Sequence, residues 1–143
     1  MALVEKSVLI ARTPHEMFVL VDRVEDYPQF LPWCDGTDLL QRTESITAAT
    51  LRVNYRGITT QFSTENAKEV PRWMDIRLTS GPFSRMDGGW RFTPLGEAAC
   101  KVEFRLNYEF SSQLLEKALG PVFNHIADTF VDSFVKRAQK IYG

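Results

Sequence analysis

Side chains able to act as an acid, a base, a nucleophile or a metal ligand are few in this sequence of 143 residues. His15 falls in a predicted first helical turn, and His125 and Asp128 fall on the polar face of a later predicted helix, so we expect all three to be solvated. Cys34 and Cys100 lie far apart with no CxxC spacing, which favours two reduced thiols that pack as small apolar groups. The sequence therefore predicts no catalytic residue and no metal site, and we expect the protein not to be an enzyme.

Aromatic residues are the most prominent feature of the composition, at 12% of the chain with ten Phe and three Trp. Such residues fill either a large core or an apolar binding cavity. Core packing is the simpler interpretation for any one of them. The alternative is that a subset lines a cavity, in which Tyr55 and Tyr108 can donate hydrogen bonds to a ligand. The residues predicted to line this cavity are Phe30, Leu31, Trp33, Tyr55, Phe62, Met74, Phe83, Trp90, Phe92, Phe104, Tyr108, Leu115, Leu119, Phe123 and Phe130.

Basic residues recur at strand positions that alternate with the apolar ones. The net charge of the chain is -1, which gives no general attraction to nucleic acid and no indication of DNA binding. The outward strand positions nevertheless hold an excess of positive charge, which indicates a surface that faces RNA phosphates, with a solvated charged face as the alternative. The residues predicted to face RNA are Arg52, Arg56, Arg77, Arg91, Lys101 and Arg105.

The N-terminal part of the chain predicts one strand followed by two short helices. Apolar and polar residues alternate over positions 4–10, which is typical of a strand. Thr13 and Glu16 have the spacing of a capping box, so a helix is expected to begin there. A second helical turn is predicted from Asp26 to Leu31, and Pro32 is expected to end it.

From about Gly36 to Phe110 the apolar residues recur with a period of two, which predicts about six strands. The clearest of them runs from Val102 to Phe110, with one apolar and one charged face. Asp87-Gly88-Gly89 predicts a hairpin turn. The pattern indicates an antiparallel sheet with only one face in water.

The last segment, from Ser111 to Tyr142, returns to helical spacing and predicts a long amphipathic helix. Its apolar stripe is broad enough to cover the apolar face of the sheet. Gly120-Pro121 is expected to kink or interrupt the helix near its start. Arg137 falls on the apolar stripe, which predicts either a side chain that extends to the surface or an ion pair with an acid.

The segment from Tyr27 to Trp33 packs three aromatic residues and two prolines into seven positions. We interpret this rigid turn as a plug for one end of the core, with a cavity lid or a partner-binding surface as the alternative. Trp33 follows Pro32 and lies outside both predicted helices, so we expect its side chain to be exposed.

Length and composition predict a single domain over residues 1–143. The chain contains no apolar run of the ~20 residues that span a bilayer. Glu5 and Lys6 interrupt the N-terminal segment with charge, which argues against a signal peptide. We therefore expect a cytoplasmic protein.

Several short strings, taken in order, resemble a known family. They are Tyr27-Pro28-Gln29-Phe30-Leu31-Pro32-x-Cys34, Gly81-Pro82-Phe83, Gly89-Trp90-x-Phe92-x-Pro94-Leu95, Cys100-x-Val102-x-Phe104 and the Phe-rich terminal helix. Together they resemble the coenzyme Q-binding branch of the START-like superfamily, which also contains polyketide cyclases. The resemblance covers essentially the whole chain.

The resemblance implies an α+β helix-grip fold, in which a curved antiparallel sheet of six to seven strands surrounds the long C-terminal helix. Bacterial toxins of ribosome association belong to the same branch, which implies binding to the large ribosomal subunit and hindered subunit joining. A second implication is binding of ubiquinone or another polyisoprenoid lipid in the helix–sheet cavity, as an accessory protein of respiration with transient membrane contact. No cofactor is required in either case. A cyclase-like enzyme is the third and least favoured implication.

Overall fold

The computed structural model describes residues 2–143 and contains seven strands, two α-helices and one 3-10 helix. The strands are β1 (Ala2–Ile10), β2 (Cys34–Arg42), β3 (Ile46–Tyr55), β4 (Ile58–Glu69), β5 (Trp73–Ser80), β6 (Phe83–Pro94) and β7 (Cys100–Phe110). The helices are α1 (Pro14–Asp22), the 3-10 helix (Val24–Gln29) and α2 (Gln113–Tyr142).

All seven strands form one antiparallel sheet in the order β1-β7-β6-β5-β4-β3-β2. The chain runs as a meander from β2 to β7, and β1 then pairs with β7, so the N-terminal strand forms one edge. Register shifts within the β2–β3, β4–β5 and β6–β7 pairs bend the strands. The predicted α+β class and the number of strands are confirmed.

One face of the sheet is buried because α2 and α1 cover it. Helix α2 buries a stripe that includes Phe123, Ile126, Phe134 and Ala138, and the last two are almost fully inaccessible. The opposite face of α2, with His125 and Asp128, is exposed as predicted. An amphipathic helix on a one-sided sheet is the layer arrangement that buries both apolar surfaces.

The helix starts follow the predicted capping chemistry. The Thr13 hydroxyl accepts from the Glu16 amide at 3.1 Å, and the Glu16 carboxylate accepts from the Thr13 amide at 2.9 Å. Ser112 caps α2 by accepting from the Leu115 amide at 3.1 Å.

The predicted hairpin at Asp87-Gly88-Gly89 is wrong, because these residues lie inside β6. The glycines are required there by close contact with the neighbouring strands. A Cβ on Gly88 would lie 2.1 Å from the Arg105 carbonyl oxygen, and one on Gly89 would lie 2.6 Å from the Met74 carbonyl oxygen. A glycine pair in a strand interior can therefore mark a close approach of backbones as well as a turn.

Two further expectations are corrected. Helix α2 runs through Gly120-Pro121 without interruption, and Pro121 is exposed, so the carbonyl that its ring leaves free can face water. Trp33 is only 2% exposed, because it lies just before β2 with its ring facing Phe130 at 6.1 Å between centroids. The Tyr27–Trp33 segment is therefore part of the core, as the plug interpretation predicts.

Candidate functional site

A small cavity lies between α2, the 3-10 helix and the inner face of the sheet, and its volume is about 70 Å³. It is lined by Val21, Val24, Tyr27, Trp33, Ala49, Leu51, Phe62, Thr64, Asn66, Met74, Ile76, Met86, Trp90, Phe104, Leu106, Ile126, Ala127 and Phe130. One water molecule needs ~10–15 Å³ by this measure, whereas benzene fits a cavity of ~150 Å³. The cavity therefore has room for a few water molecules or a small polar group. A ligand with an aromatic or quinone ring can enter only if the side chains of the wall move.

Six of the predicted cavity residues form its wall. Trp90 lies at the centre of this set, with ring centroids 4.6 Å from Phe104 and 5.7 Å from Phe130. Trp33, Phe62 and Met74 complete the six, and all of them except Phe130 are buried. The sequence pattern therefore locates the apolar part of the wall.

The other nine predicted residues lie away from the cavity. Phe83 and Phe123 pack against each other at 4.9 Å behind the wall residue Phe62, and Phe92 packs against Phe18 at 5.4 Å. Leu31 and Leu119 are buried in the core, and Leu115 is half-buried near the start of α2. These residues face inward, but their neighbours fill the space in front of them.

The remaining three of the nine reach polar partners near the surface. The Tyr108 hydroxyl bonds to the Asn124 side chain, and burial raises the pKa of Tyr108 to about 12. Tyr55 stacks on His125 at 5.1 Å, and Phe30 lies 5.0 Å below the Arg137 guanidinium. Neither tyrosine therefore lines the cavity, although both were predicted to donate hydrogen bonds to a ligand there.

One wall of the cavity is polar, and strand β4 supplies it. The Asn66 amide nitrogen donates weakly to the Met74 sulfur at 3.6 Å, while its Oδ1 atom is buried without a partner. The Trp33 Nε1–H is also buried and unpaired. Buried polar groups normally have partners, so both atoms are sites where a bound water or ligand group would be stabilised.

The polar wall could have been found from the sequence. Residues 62, 64, 66 and 68 share one face of β4, because side chains alternate along a strand, and Phe62 fixes that face as the inner one. Thr64, Asn66 and Lys68 are accordingly buried. Sequence reasoning missed the last two because it followed apolar residues only.

A buried ion pair lies at the end of this row. The Lys68 ammonium is 2.9 Å from Asp22 Oδ2, and the Thr47 hydroxyl donates to Asp22 Oδ1 at 2.6 Å. The side chains of Lys68 and Asp22 are only 3% and 14% exposed. This pair and the Thr47 hydroxyl join the end of α1 to strands β3 and β4.

A second ion pair supports the first from the surface. Arg42 donates to both carboxylate oxygens of Glu25, at 2.9 and 2.7 Å, and to the Asp22 carbonyl at 2.7 Å. The hydrogen bond from Arg42 lowers the pKa of Glu25 to about 2. The polar end of the interior is therefore anchored from α1, the 3-10 helix and β2 together.

Neither cysteine has the surroundings of a reactive thiol. Burial raises the pKa of Cys34 to about 11 and also raises the pKa of Cys100. A thiol with a raised pKa holds its proton at neutral pH and is a poor nucleophile. Both residues therefore pack as small apolar groups, as the sequence predicts.

The outer face of the sheet carries most of the residues predicted to face RNA. Arg77 pairs with Glu65 at 3.0 Å, and Arg91 pairs with Asp75 at 2.8 Å. Arg52 pairs with Asp38 at 2.5 Å, and Lys101 lies 4.0 Å from Glu103. Each of these cations is therefore matched by a carboxylate. Within residues 2–143, only Arg56 and Arg105 of the predicted set have no ion-pair partner.

A sheet that holds a C-terminal helix against an apolar cavity is the arrangement of START-like proteins. The chain belongs to the family described as polyketide cyclase / dehydrase and lipid transport, whose model matches residues 10–135. Two solved structures share the fold. A START superfamily protein from Mycobacterium smegmatis has a TM-score of 0.76 and 21% identity, covering 97% of this chain and 98% of that one. The Zhui aromatase/cyclase from Streptomyces has a TM-score of 0.81 and 15% identity, covering 99% and 96%.

The sequence relatives are more specific. The ribosome association toxin RatA of Vibrio cholerae is 42% identical over 98% of this chain and 97% of its own length. RatA of Escherichia coli K12 is 37% identical over 97% and 88%. The mitochondrial coenzyme Q-binding protein COQ10 homolog B of Xenopus laevis is 25% identical over 96% of this chain and 58% of its own length. The resemblance predicted from the aromatic and proline strings is thus confirmed.

The described helices include none that is both long and apolar enough to cross a membrane. The three named relatives do not carry enzyme names, whereas the family description includes cyclases and dehydrases.

Proposed function

We propose that this protein binds the large ribosomal subunit and hinders its association with the small subunit, which places its action in the cytoplasm. The observation that supports this is similarity over nearly the whole chain to proteins named as ribosome association toxins, at 42% and 37% identity. Such similarity extends over both the sheet and α2. The proposed role is non-enzymatic, because binding to a subunit surface requires shape and charge and no reacting group.

Sedimentation of ribosomes through a sucrose gradient tests this proposal. Added protein is expected to lower the peak of assembled ribosomes, raise the two subunit peaks and migrate with the large subunit. An assembled peak that stays unchanged at saturating protein would contradict the proposal. Protein migrating with the small subunit alone would contradict the choice of subunit.

A second candidate function is binding of a polyisoprenoid quinone, such as ubiquinone, in the cavity. The observation that favours it is the pair of unpaired polar atoms, Trp33 Nε1 and Asn66 Oδ1, on residues that otherwise line an apolar space. The indole N–H can donate to a quinone carbonyl. The family description includes lipid transport, and the COQ10 relative is named for coenzyme Q binding.

The small volume of the cavity means that quinone binding requires a rearrangement of its wall. A cavity of about 70 Å³ is smaller than the ~150 Å³ that holds benzene, so the quinone ring requires the surrounding rings to rotate outward. Mass spectrometry of organic extracts from natively purified protein is expected to show a quinone. Protein that carries none, and whose tryptophan fluorescence does not change on adding ubiquinone, would contradict this function while leaving ribosome binding intact.

A further inference from the structure

Lysines and arginines without an ion-pair partner are unevenly distributed over the described residues 2–143. On the outer face of the sheet, carboxylates of the same or neighbouring strands match most of the cations. Helix α2 differs, because none of its cations lies within ion-pair distance of an acid. The unpaired cations of the described chain are Arg12, Arg56, Arg105, Lys117, Lys136, Arg137 and Lys140.

Three of these cations lie together in the last two turns of α2, and we call Lys136, Arg137 and Lys140 the cationic end of α2. Residues three or four positions apart are neighbours on a helix surface, so Lys140 is adjacent to both of the others. Positions 133–143 contain no Asp or Glu. In a chain of net charge -1, this is a local concentration of positive charge that no side chain of the same segment neutralises.

Arg137 is held in a fixed position by neutral groups. Its guanidinium lies 5.0 Å from the centre of the Phe30 ring, and its Nη2 atom donates to Gln29 Oε1 at 2.9 Å. The sequence left open whether this residue reaches the surface or pairs with an acid, and the structure shows the first. A guanidinium positioned by an aromatic ring and an amide has no carboxylate to match its charge, although its Nε atom is buried and can reach no outside partner.

Two acids lie near this surface, but neither forms an ion pair with its cations in the described part of the chain, and the single carboxylate of Asp132 offsets at most one of the three positive charges. Asp132 lies one turn before Lys136 on the exposed face and forms no ion pair among the described residues. Asp26, on the segment that faces Arg137, is held by Arg23 at 2.9 Å. Cations at a helix C-terminus are also favoured by the helix dipole, which explains Lys140 in the last turn. The dipole does not explain why Arg137 is stacked on Phe30.

We propose that the cationic end of α2 is the surface that contacts ribosomal RNA. This inference rests on the proposed ribosome-binding function and says which part of the molecule performs it. Lysines and arginines free of carboxylates can each neutralise a phosphate. RNA is favoured over an anionic membrane because Ile141 is the one large apolar side chain strongly exposed in these last two turns, which gives a bilayer little to bury.

Charge reversal with a matched control tests the assignment. The variant Lys136→Glu/Lys140→Glu changes two exposed residues and is expected to fold normally, as circular dichroism can verify. Its affinity for the purified large subunit is expected to fall roughly tenfold or more, and the slope of log affinity against log salt to decrease by about 1 per lysine. The control is Lys117→Glu, an unpaired and exposed lysine near the start of α2, for which less than a twofold change is expected. The competing surface is tested with Arg105→Glu, an unpaired and exposed arginine on the outer face of the sheet.

The outcomes separate the possible errors. If Arg105→Glu weakens binding and Lys136→Glu/Lys140→Glu does not, the RNA surface is the sheet and this inference is wrong, while the proposed function stands. If Lys136→Glu/Lys140→Glu loses binding to anionic lipid vesicles but retains the large subunit, the cationic end serves a membrane and the inference is also wrong. A wild-type protein that does not bind the large subunit would overturn both the function and the inference.

Discussion

Around Trp90 the interior is packed mainly with aromatic rings, whereas around Asp22 it contains a carboxylate, an ammonium and a hydroxyl. Trp90 lies within 6.0 Å, between ring centroids, of Phe92, Phe104, Phe130 and Phe134. The Asp22 end is joined by directional bonds of 2.6 to 2.9 Å. The first region is stabilised by area and close packing, and the second by partners that must all be present.

The cavity lies between these two regions, which gives it an orientation. Trp90, Phe104 and Phe130 contribute rings to its wall, while Asn66 and Trp33 contribute residues with buried, unpaired polar atoms. A ligand with an apolar body and a polar head would therefore place its head toward Asn66. Both regions stabilise the interior, but changes to the rings act through packing, whereas changes to the polar residues act through lost or unmatched partners.

The largest effect is expected from removing the central ring. Trp90→Ala deletes a side chain that is 1% exposed and leaves a void among four other rings, so we expect a loss of about 4 kcal/mol in the free energy of unfolding. Urea unfolding followed by circular dichroism measures it. Trp73→Ala is the control, because Trp73 is a half-buried ring on the outer face of the sheet, and its loss should cost much less. Equal losses for the two variants would mean that the aromatic region is not packed as described.

Breaking the buried ion pair should be almost as costly, for a different reason. Asp22→Ala leaves the Lys68 ammonium buried without its partner, which we expect to cost about 3 kcal/mol. The double variant Asp22→Ala/Lys68→Met removes the stranded charge and should recover most of that loss. Unfolding midpoints of the two variants in urea give the comparison. If the double variant is as unstable as the single one, the pair is not buried in the way that the structure shows.

The sequence predicted the aromatic region of the interior but not its polar region. Apolar periodicity located the strands, the stripe of α2 and the six apolar wall residues, because burial of rings leaves a repeating signal. It did not reveal the polar wall, since Asn66 and Lys68 look like outward residues until their register with Phe62 is counted. It also could not show the carboxylates that neutralise Arg77 and Arg91, because those acids come from neighbouring strands whose pairing the sequence does not state.

A smaller effect, of opposite sign, is expected at the polar wall. Asn66→Leu keeps a similar volume and removes a buried carbonyl that has no partner, so the free energy of unfolding should rise by about 1 kcal/mol. The same change should weaken any ligand whose head bonds to Asn66, which tryptophan fluorescence on adding ubiquinone would register. Thr64→Val, a neighbour on the same wall, is the control and should change stability little. A destabilised Asn66→Leu variant would show that the amide is satisfied, by water or by another group.

The smallest effect separates the two regions by their response to acid. The pKa of Glu25 is lowered from 4.5 to about 2 by its hydrogen bond to Arg42, so the folded protein keeps this carboxylate charged where the unfolded chain binds a proton. The resulting stabilisation is complete above pH 4.5 and is lost as the pH falls from 4.5 toward 2. Because about a third of this side chain is exposed, we expect it to amount to 1 kcal/mol or less. Glu25→Gln removes the titrating group, so its unfolding midpoint in urea should fall less between pH 6 and pH 3 than that of the wild type. Trp90→Phe is the control: it changes only the aromatic region and alters no titrating group, so its stability should follow the wild-type pH dependence. If Glu25→Gln also shows the same pH dependence as the wild type, acid destabilises the protein through groups other than Glu25.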